Sequence, residues 1–247
     1  MAEYLLWRHE LDDGEVTTLY ATRHPRRETR ARVVHFPATE RLDFWCAENG
    51  VDEAIIGGFF VRDPYRPLGD LWIDARPVAH EPILPPYASR RASVVIDNGD
   101  IRLVERGEAP AEPAGDLVQA GPLLVRDGAV VFDREADREG FSTGAGQFDS
   151  DITDGRYPRA ALGISAEHIV AVACDGRRSR VDDGLTLPEL ADVLIRLGAE
   201  DGINLDGGGS TTLVHRRHLL NRPYSTQDQA APESRPIVSA LVFEPRS

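Results

Sequence analysis

The chain has 247 residues, enough for one large domain or two small ones to bury a core without metal or disulfide staples. Asp and Glu number 41 against 28 Lys and Arg, so the formal charge is −13, which disfavours nonspecific binding to nucleic acid or to an anionic membrane. All of the basic side chains are arginine, which excludes a Schiff-base lysine and a P-loop lysine and leaves guanidinium forks and backbone amides as grips for phosphate.

The amino end carries a short apolar run, Tyr4-Leu5-Leu6-Trp7, and early acids, which is not the pattern of a secretory signal. No stretch approaches the roughly 20 apolar residues that a membrane span requires, so a cytoplasmic protein is expected. Residues 3 to 36 read as paired strands, Tyr4–Trp7, Val16–Tyr20 and Arg32–Phe36, with the Arg/His/Pro cluster at 23 to 27 as a solvated turn. A helix follows, capped by Thr39, with Leu42, Trp45 and Cys46 on one face and Asn49-Gly50 at its end. Cys46 and the distant Cys174 are expected to be buried free thiols.

Ala54-Ile55-Ile56 reads as a buried strand that runs into Gly57-Gly58-Phe59-Phe60. Two glycines before two aromatics suit either close backbone approach over a ring platform or plain core packing, since strand side chains alternate faces. The Pro- and Arg-rich stretch from Asp63 to Pro86 contains a strand at Trp72-Ile73 and a surface pair, His80-Glu81. A hairpin turns at Asp97-Asn98-Gly99-Asp100, a loop covers 105–115, and Leu117 to Val131 forms a second hairpin entered by Gly121-Pro122. Residues 133–157 are polar and dotted with glycine, the composition of a mobile lid or binding loop.

Arg159 opens the apolar strand that runs to Ile164, and a buried arginine there demands either a ligand anion or a structural salt bridge. Ile169–Cys174 is the next strand, followed by Asp175-Gly176-Arg177-Arg178. Thr186-Leu187-Pro188-Glu189 is a capping box that starts a helix with Leu187, Leu190, Leu194 and Leu197 on one face and Gly198 at its stop, so Glu189 is expected to act as a cap. A strand carrying Asn204 then stops at Asp206-Gly207-Gly208-Gly209-Ser210-Thr211, and Ile237–Phe243 closes the chain. Three adjacent glycines sacrifice packing and lose the most entropy on folding. They make either a bare hairpin bend or a place where side chains would obstruct a ligand, with free amides converging on an anion or sugar oxygens beside Asn204, Asp206, Ser210 and Thr211.

Four ordered stretches, Gly57-Gly58-Phe59-Phe60, Arg159 to Ile164, Asp175-Gly176-Arg177 with the Thr186 helix, and Asn204 to Thr211, resemble the phosphodiester glycosidase family. The likeness extends to Gly121-Pro122 and to Glu233–Arg235, and covers roughly residues 30–243. It implies an α+β fold, a single domain over residues 1–247 with a strongly bent mixed sheet, external helices, and a cleft where the motif loops meet. The implied reaction is hydrolysis of a sugar C1–O bond in a sugar phosphodiester or sugar nucleotide; no cofactor or metal is expected, and the charge and hydropathy already argue against a nucleic-acid or membrane partner. The implied site comprises Gly58, Arg159, Asp175, Arg177, Asn204, Asp206, Gly207, Gly208, Gly209, Ser210, Thr211 and Arg235.

The chemistry points the same way. Phosphate leaves more readily than an alcohol, so C1–O cleavage needs anion stabilisation more than proton donation. Arg159, Arg177 and Arg235 suit the anion, Asp206 suits the positive sugar as nucleophile or electrostatic stabiliser, and Asp175 suits acid/base work on water. Two other classes fit the composition: a phosphosugar-binding protein without catalysis, and a metal-dependent phosphoesterase, although no compact Asp/His cluster is visible.

Overall fold

The computed structural model describes residues 2–142, 152–222 and 234–246; the remainder of the 133–157 stretch and Glu233 lie outside the described residues. The fold is mostly β with two helices, an α+β arrangement, and none of the described helices is long and apolar enough to cross a membrane.

A seven-stranded sheet has the order β1 (Glu3–Glu10), β2 (Val16–Pro25), β15 (His168–Cys174), β14 (Arg159–Ile164), β16 (Asp201–Asn204), β12 (Leu123–Arg126) and β13 (Ala129–Val130). A five-stranded sheet joins β18 (His218–Leu219), β17 (Leu213–His215), β4 (Glu53–Ile56), β19 (Ile237–Pro245) and β3 (Thr29–Glu40). A second five-stranded sheet joins β10 (Asp100–Glu105), β9 (Ala92–Asp97), β11 (Asp116–Gln119), β7 (Leu71–Ile73) and β8 (Arg76–Pro77), and β5 (Phe60–Arg62) pairs only with β6 (Tyr65–Pro67). Every one of these strand pairs is antiparallel, so the expected mixed sheet is corrected: neighbours join by hairpins and sheet crossings, without parallel β–α–β units.

Because strand side chains alternate, the central strands of the large sheet feed two cores. Ala160, Leu162 and Ile164 of β14 join the main core with β3, β4, β9 and β19, while Ala161, Val172 and Cys174 face a second core closed by α2 (Leu187–Arg196). That helix is built as its sequence dictates. Thr186 and Glu189 cap each other, and Leu187, Leu190, Ala191, Val193 and Leu194 are buried. Gly202 lets it approach, since a methyl group there would lie 2.7 Å from Leu194.

The first helix, α1 (Leu42–Asn49), differs from its expected start: Thr39 belongs to β3, and Arg41 occupies the cap position without a side-chain capping bond. The cluster at 23 to 27 is a solvated turn only in its second half, where Arg26–Glu28 form a single 3-10 turn with Arg27 exposed. β2 runs through it to Pro25, and His24 is buried with its ring 4.7 Å from that of Phe243. Leu117–Val131 splits across two sheets, with only β12 and β13 forming the hairpin, because the chain crosses over at the cis Gly121-Pro122 bond. Glu139 stitches that crossing: its carboxylate accepts from the Ala92 N–H of β9 and the Leu123 N–H of β12, each at 2.7 Å.

Candidate active site

β16 delivers the chain to Asp206, after which Gly208–Ser210 form a single 3-10 turn that leads into buried Thr211 and Thr212. Each glycine makes room for a different group. A methyl group at Gly207 would lie 2.9 Å from the Pro158 carbonyl oxygen, one at Gly208 3.1 Å from Arg177 Nη2, and one at Gly209 2.6 Å from Arg235 Nη2. Gly208 also has φ +60°, the left-handed region where a side chain is strained. The bare backbone therefore admits two guanidinium groups.

Four of the amides expected to be free in this turn are engaged. Gly207 N–H donates to the Asp206 carboxylate (2.9 Å), Gly208 N–H to Pro158 O (2.7 Å), Ser210 N–H to Gly207 O (3.1 Å) and Thr211 N–H to Gly208 O (3.3 Å). With these four donors satisfied, the arginine side chains are the main source of positive charge at this site.

Asp206 is half-buried as a residue, but its carboxyl is enclosed. Burial pushes it up to about 6, against the opposing pull of hydrogen bonds from the Ser210 hydroxyl and Gly207 N–H and of the Arg235 and Arg62 charges. Its own N–H donates to Gly57 O at 3.1 Å, which ties the turn to the Gly57-Gly58 segment. Gly58 serves packing: a methyl group there would lie 2.5 Å from Gln119 O and 2.9 Å from Val118. Phe59 is buried with Leu68, Ile83 and Phe141, while Phe60 is half-buried against the main core.

Among the described residues Arg159 has no carboxylate partner, and backbone carbonyls hold it instead. It is 4% exposed, and its Nε donates to Leu185 O (3.0 Å) while Nη2 donates to Ile152 O (3.0 Å) and Gly155 O (3.3 Å). Carbonyl dipoles solvate this buried cation. Its Cζ lies 5.1 Å from the centre of the Tyr157 ring, and Arg177 Cζ lies 5.7 Å from the same ring, so the tyrosine joins the buried arginine to the one on Gly208.

Asp175 is 2% exposed, and both carboxylate oxygens are engaged, one by the Tyr20 hydroxyl (2.9 Å) and the other by Arg222 N–H (2.6 Å). Burial, with the nearby Asp182 charge, raises it to about 6. Asn204 points its amide NH₂ at Gly121 O and Leu205 O, both 2.8 Å, and its Oδ1 is buried with no partner among the described residues. Thr211 is fully buried, and its carbonyl accepts from Asn221 Nδ2 at 2.8 Å.

The fold thus gathers Asp206, Gly207, Gly208, Gly209, Ser210, Arg177 and Arg235 into one place, while Gly58, Asn204, Thr211, Arg159 and Asp175 brace the backbone around it. Two members had no sequence signal of their own: Arg62, whose charge acts on both Asp206 and Arg177, and Tyr157, two residues before Arg159. The Arg62 and Arg235 charges act on the Asp206 carboxyl, and Arg177 is seated on Gly208 in the same turn, a cluster of positive charge in a chain of net charge −13. No group of three His, Cys, Asp or Glu side chains converges among the described residues.

A model of the phosphodiester glycosidase family matches residues 49–244. The catalytic domain of zebrafish N-acetylglucosamine-1-phosphodiester alpha-N-acetylglucosaminidase, solved auto-inhibited by its pro-peptide, superposes with a TM-score of 0.75 at 19% identity, over 100% of this chain and 83% of that one. A hypothetical protein from Synechocystis superposes with a TM-score of 0.66 at 18% identity, over 99% of this chain and 62% of that one. A sequence search of the curated proteins finds no match.

Proposed function

The chain belongs to the phosphodiester glycosidase family, and from that premise we propose that it hydrolyses the sugar C1–O bond of a glycosyl phosphodiester, releasing free sugar and a phosphate monoester. The observation that carries the reading is the seating of the Arg177 and Arg235 guanidinium groups on the successive bare glycines Gly208 and Gly209, in the turn that opens at the Asp206 carboxyl.

Arg177 and Arg235 hold the phosphoryl oxygens by charge-assisted hydrogen bonds and stabilise the charge that departs with them. The leaving phosphate needs little protonation, so a strong general acid is dispensable. Asp206, ionised at neutral pH and oriented by Ser210 and Gly207, stabilises the positive C1 or attacks it. Arg159 and Asp175 act one step back. The first carries Tyr157, against which Arg177 rests, and the second fixes Arg222 and Tyr20. The ligand that fits this reading is a small sugar phosphodiester or sugar nucleotide.

The direct test is incubation with glycosyl phosphodiesters and measurement of free sugar. Release by the wild type and its loss in Asp206→Asn supports the reading; tight binding of the same compounds with no sugar released by the wild type makes the protein a phosphosugar-binding module instead.

A further inference from the structure

We propose that the β5–β6 hairpin is the arm of this site that recognises the aglycone, with Arg62 against the phosphoryl group and the Tyr65 ring stacked on a flat, aromatic aglycone. The inference rests on the glycosidase reading above and extends it to the group beyond the phosphate.

The root of the hairpin is tied to the glycine turn, because Gly57 O accepts the Asp206 N–H. The register sets Phe60 opposite Pro67 and Arg62 opposite Tyr65. Direct partners and residues two apart project from the same face of an antiparallel pair, so Phe60, Arg62 and Tyr65 share one face. Their rings agree with this: Phe60 and Tyr65 lie 6.1 Å apart, tilted by 37°. Beyond the root, where Phe60 packs on the main core, the charge of Arg62 reaches both Asp206 and Arg177, so the exposed end of that face lies beside the site.

Along the arm, polarity and exposure change in steps. Phe60 is half-buried at the root, Arg62 is exposed, and Tyr65 is 47% exposed at the far strand. A ring held by its neighbour yet open to solvent loses little conformational freedom when a second ring stacks on it. A guanidinium on the same face supplies the adjacent anion contact. A saturated alkyl aglycone would find the cation but gain nothing comparable from the ring.

The test uses the full chain with three phosphate monoesters as probes, methyl phosphate, phenyl phosphate and uridine 5′-phosphate, and with the matching glycosyl phosphodiesters as substrates. Binding by calorimetry should show both aromatic probes favoured over methyl phosphate in the wild type, with that preference falling about tenfold in Tyr65→Ala, the scale of a lost stacking contact. The larger fall of the two identifies an aryl or a nucleoside aglycone. Arg62→Gln should weaken all three probes alike. Equal losses for methyl and aromatic probes in Tyr65→Ala, or no aromatic preference in the wild type, overturn the proposal. Sugar release is read separately on the substrates: none from any of them sinks the glycosidase reading, while the arm still stands or falls on the binding ratio.

Discussion

The guanidinium of Arg235 covers the Cα of Gly209, and a methyl group built there would lie 2.6 Å from Nη2 and 2.8 Å from Cζ. The obstructing atoms are the end of a flexible side chain, and Gly209 is not among the positive-φ glycines, so Gly209→Ala should fold. What it displaces is the cation. We expect kcat/KM on a glycosyl phosphodiester to fall roughly 10- to 100-fold, as on losing one charge-assisted contact, while Tm moves by only a few degrees. Unchanged kcat/KM would remove Arg235 from phosphate binding.

Asp206 has to be ionised to stabilise a positive sugar, and burial raises its carboxyl to about 6. The kcat/KM profile should therefore rise from acid pH with a midpoint near 6, and Asp206→Asn should cost on the order of 10³-fold. Asp175 is also raised to about 6, so it needs its own control. Asp175→Asn weakens the Tyr20 and Arg222 contacts and should lower Tm while leaving the midpoint in place. If the midpoint disappears in Asp175→Asn and persists in Asp206→Asn, the two roles are reversed.

Arg159 holds three carbonyls, of Leu185, Ile152 and Gly155, with a planar fork that a lysine ammonium cannot reproduce. Arg159→Lys should lose about 2 to 4 kcal/mol of unfolding free energy in denaturant melts, as buried acceptors go unpaired. Arg177→Lys, at a half-buried residue, should instead lose phosphate affinity with little change in stability. A stable Arg159→Lys variant that has lost only affinity for phenyl phosphate would return Arg159 to the role of ligand.

Glu139 predicts how stability varies with pH. Burial raises its carboxyl to about 7, above the unfolded value of 4.5, so the folded state binds the proton more tightly. Its contribution is fully present below pH 4.5 and is lost as pH rises through 7. Measured against Glu139→Gln, which does not titrate, the wild type should lose relative stability from pH 4.5 up through 7, by about 3 kcal/mol in all, and level off about one pH unit above 7. A flat difference across the range would mean that the stitch between Ala92 and Leu123 holds an ordinary carboxylate.

What the sequence by itself determined is local. The Thr186–Glu189 capping box and the leucines behind it specify α2, Asn98-Gly99 specifies the β9–β10 hairpin, and three adjacent glycines announce a close approach, because each signal lies within a few residues of its effect. What approaches, only the tertiary structure decided. A bare Cα excludes a side chain without naming its neighbour, and Arg177 and Arg235 reach Gly208 and Gly209 from distant segments. The same holds for Arg159, whose burial was legible from an apolar strand but whose carbonyl partners come from other loops, and for Arg62, whose charge reaches Asp206 only once its hairpin is folded. Periodicity encodes which face is buried and leaves the partner unspecified, so sheet pairing and the composition of the charged cluster are properties of the folded chain alone.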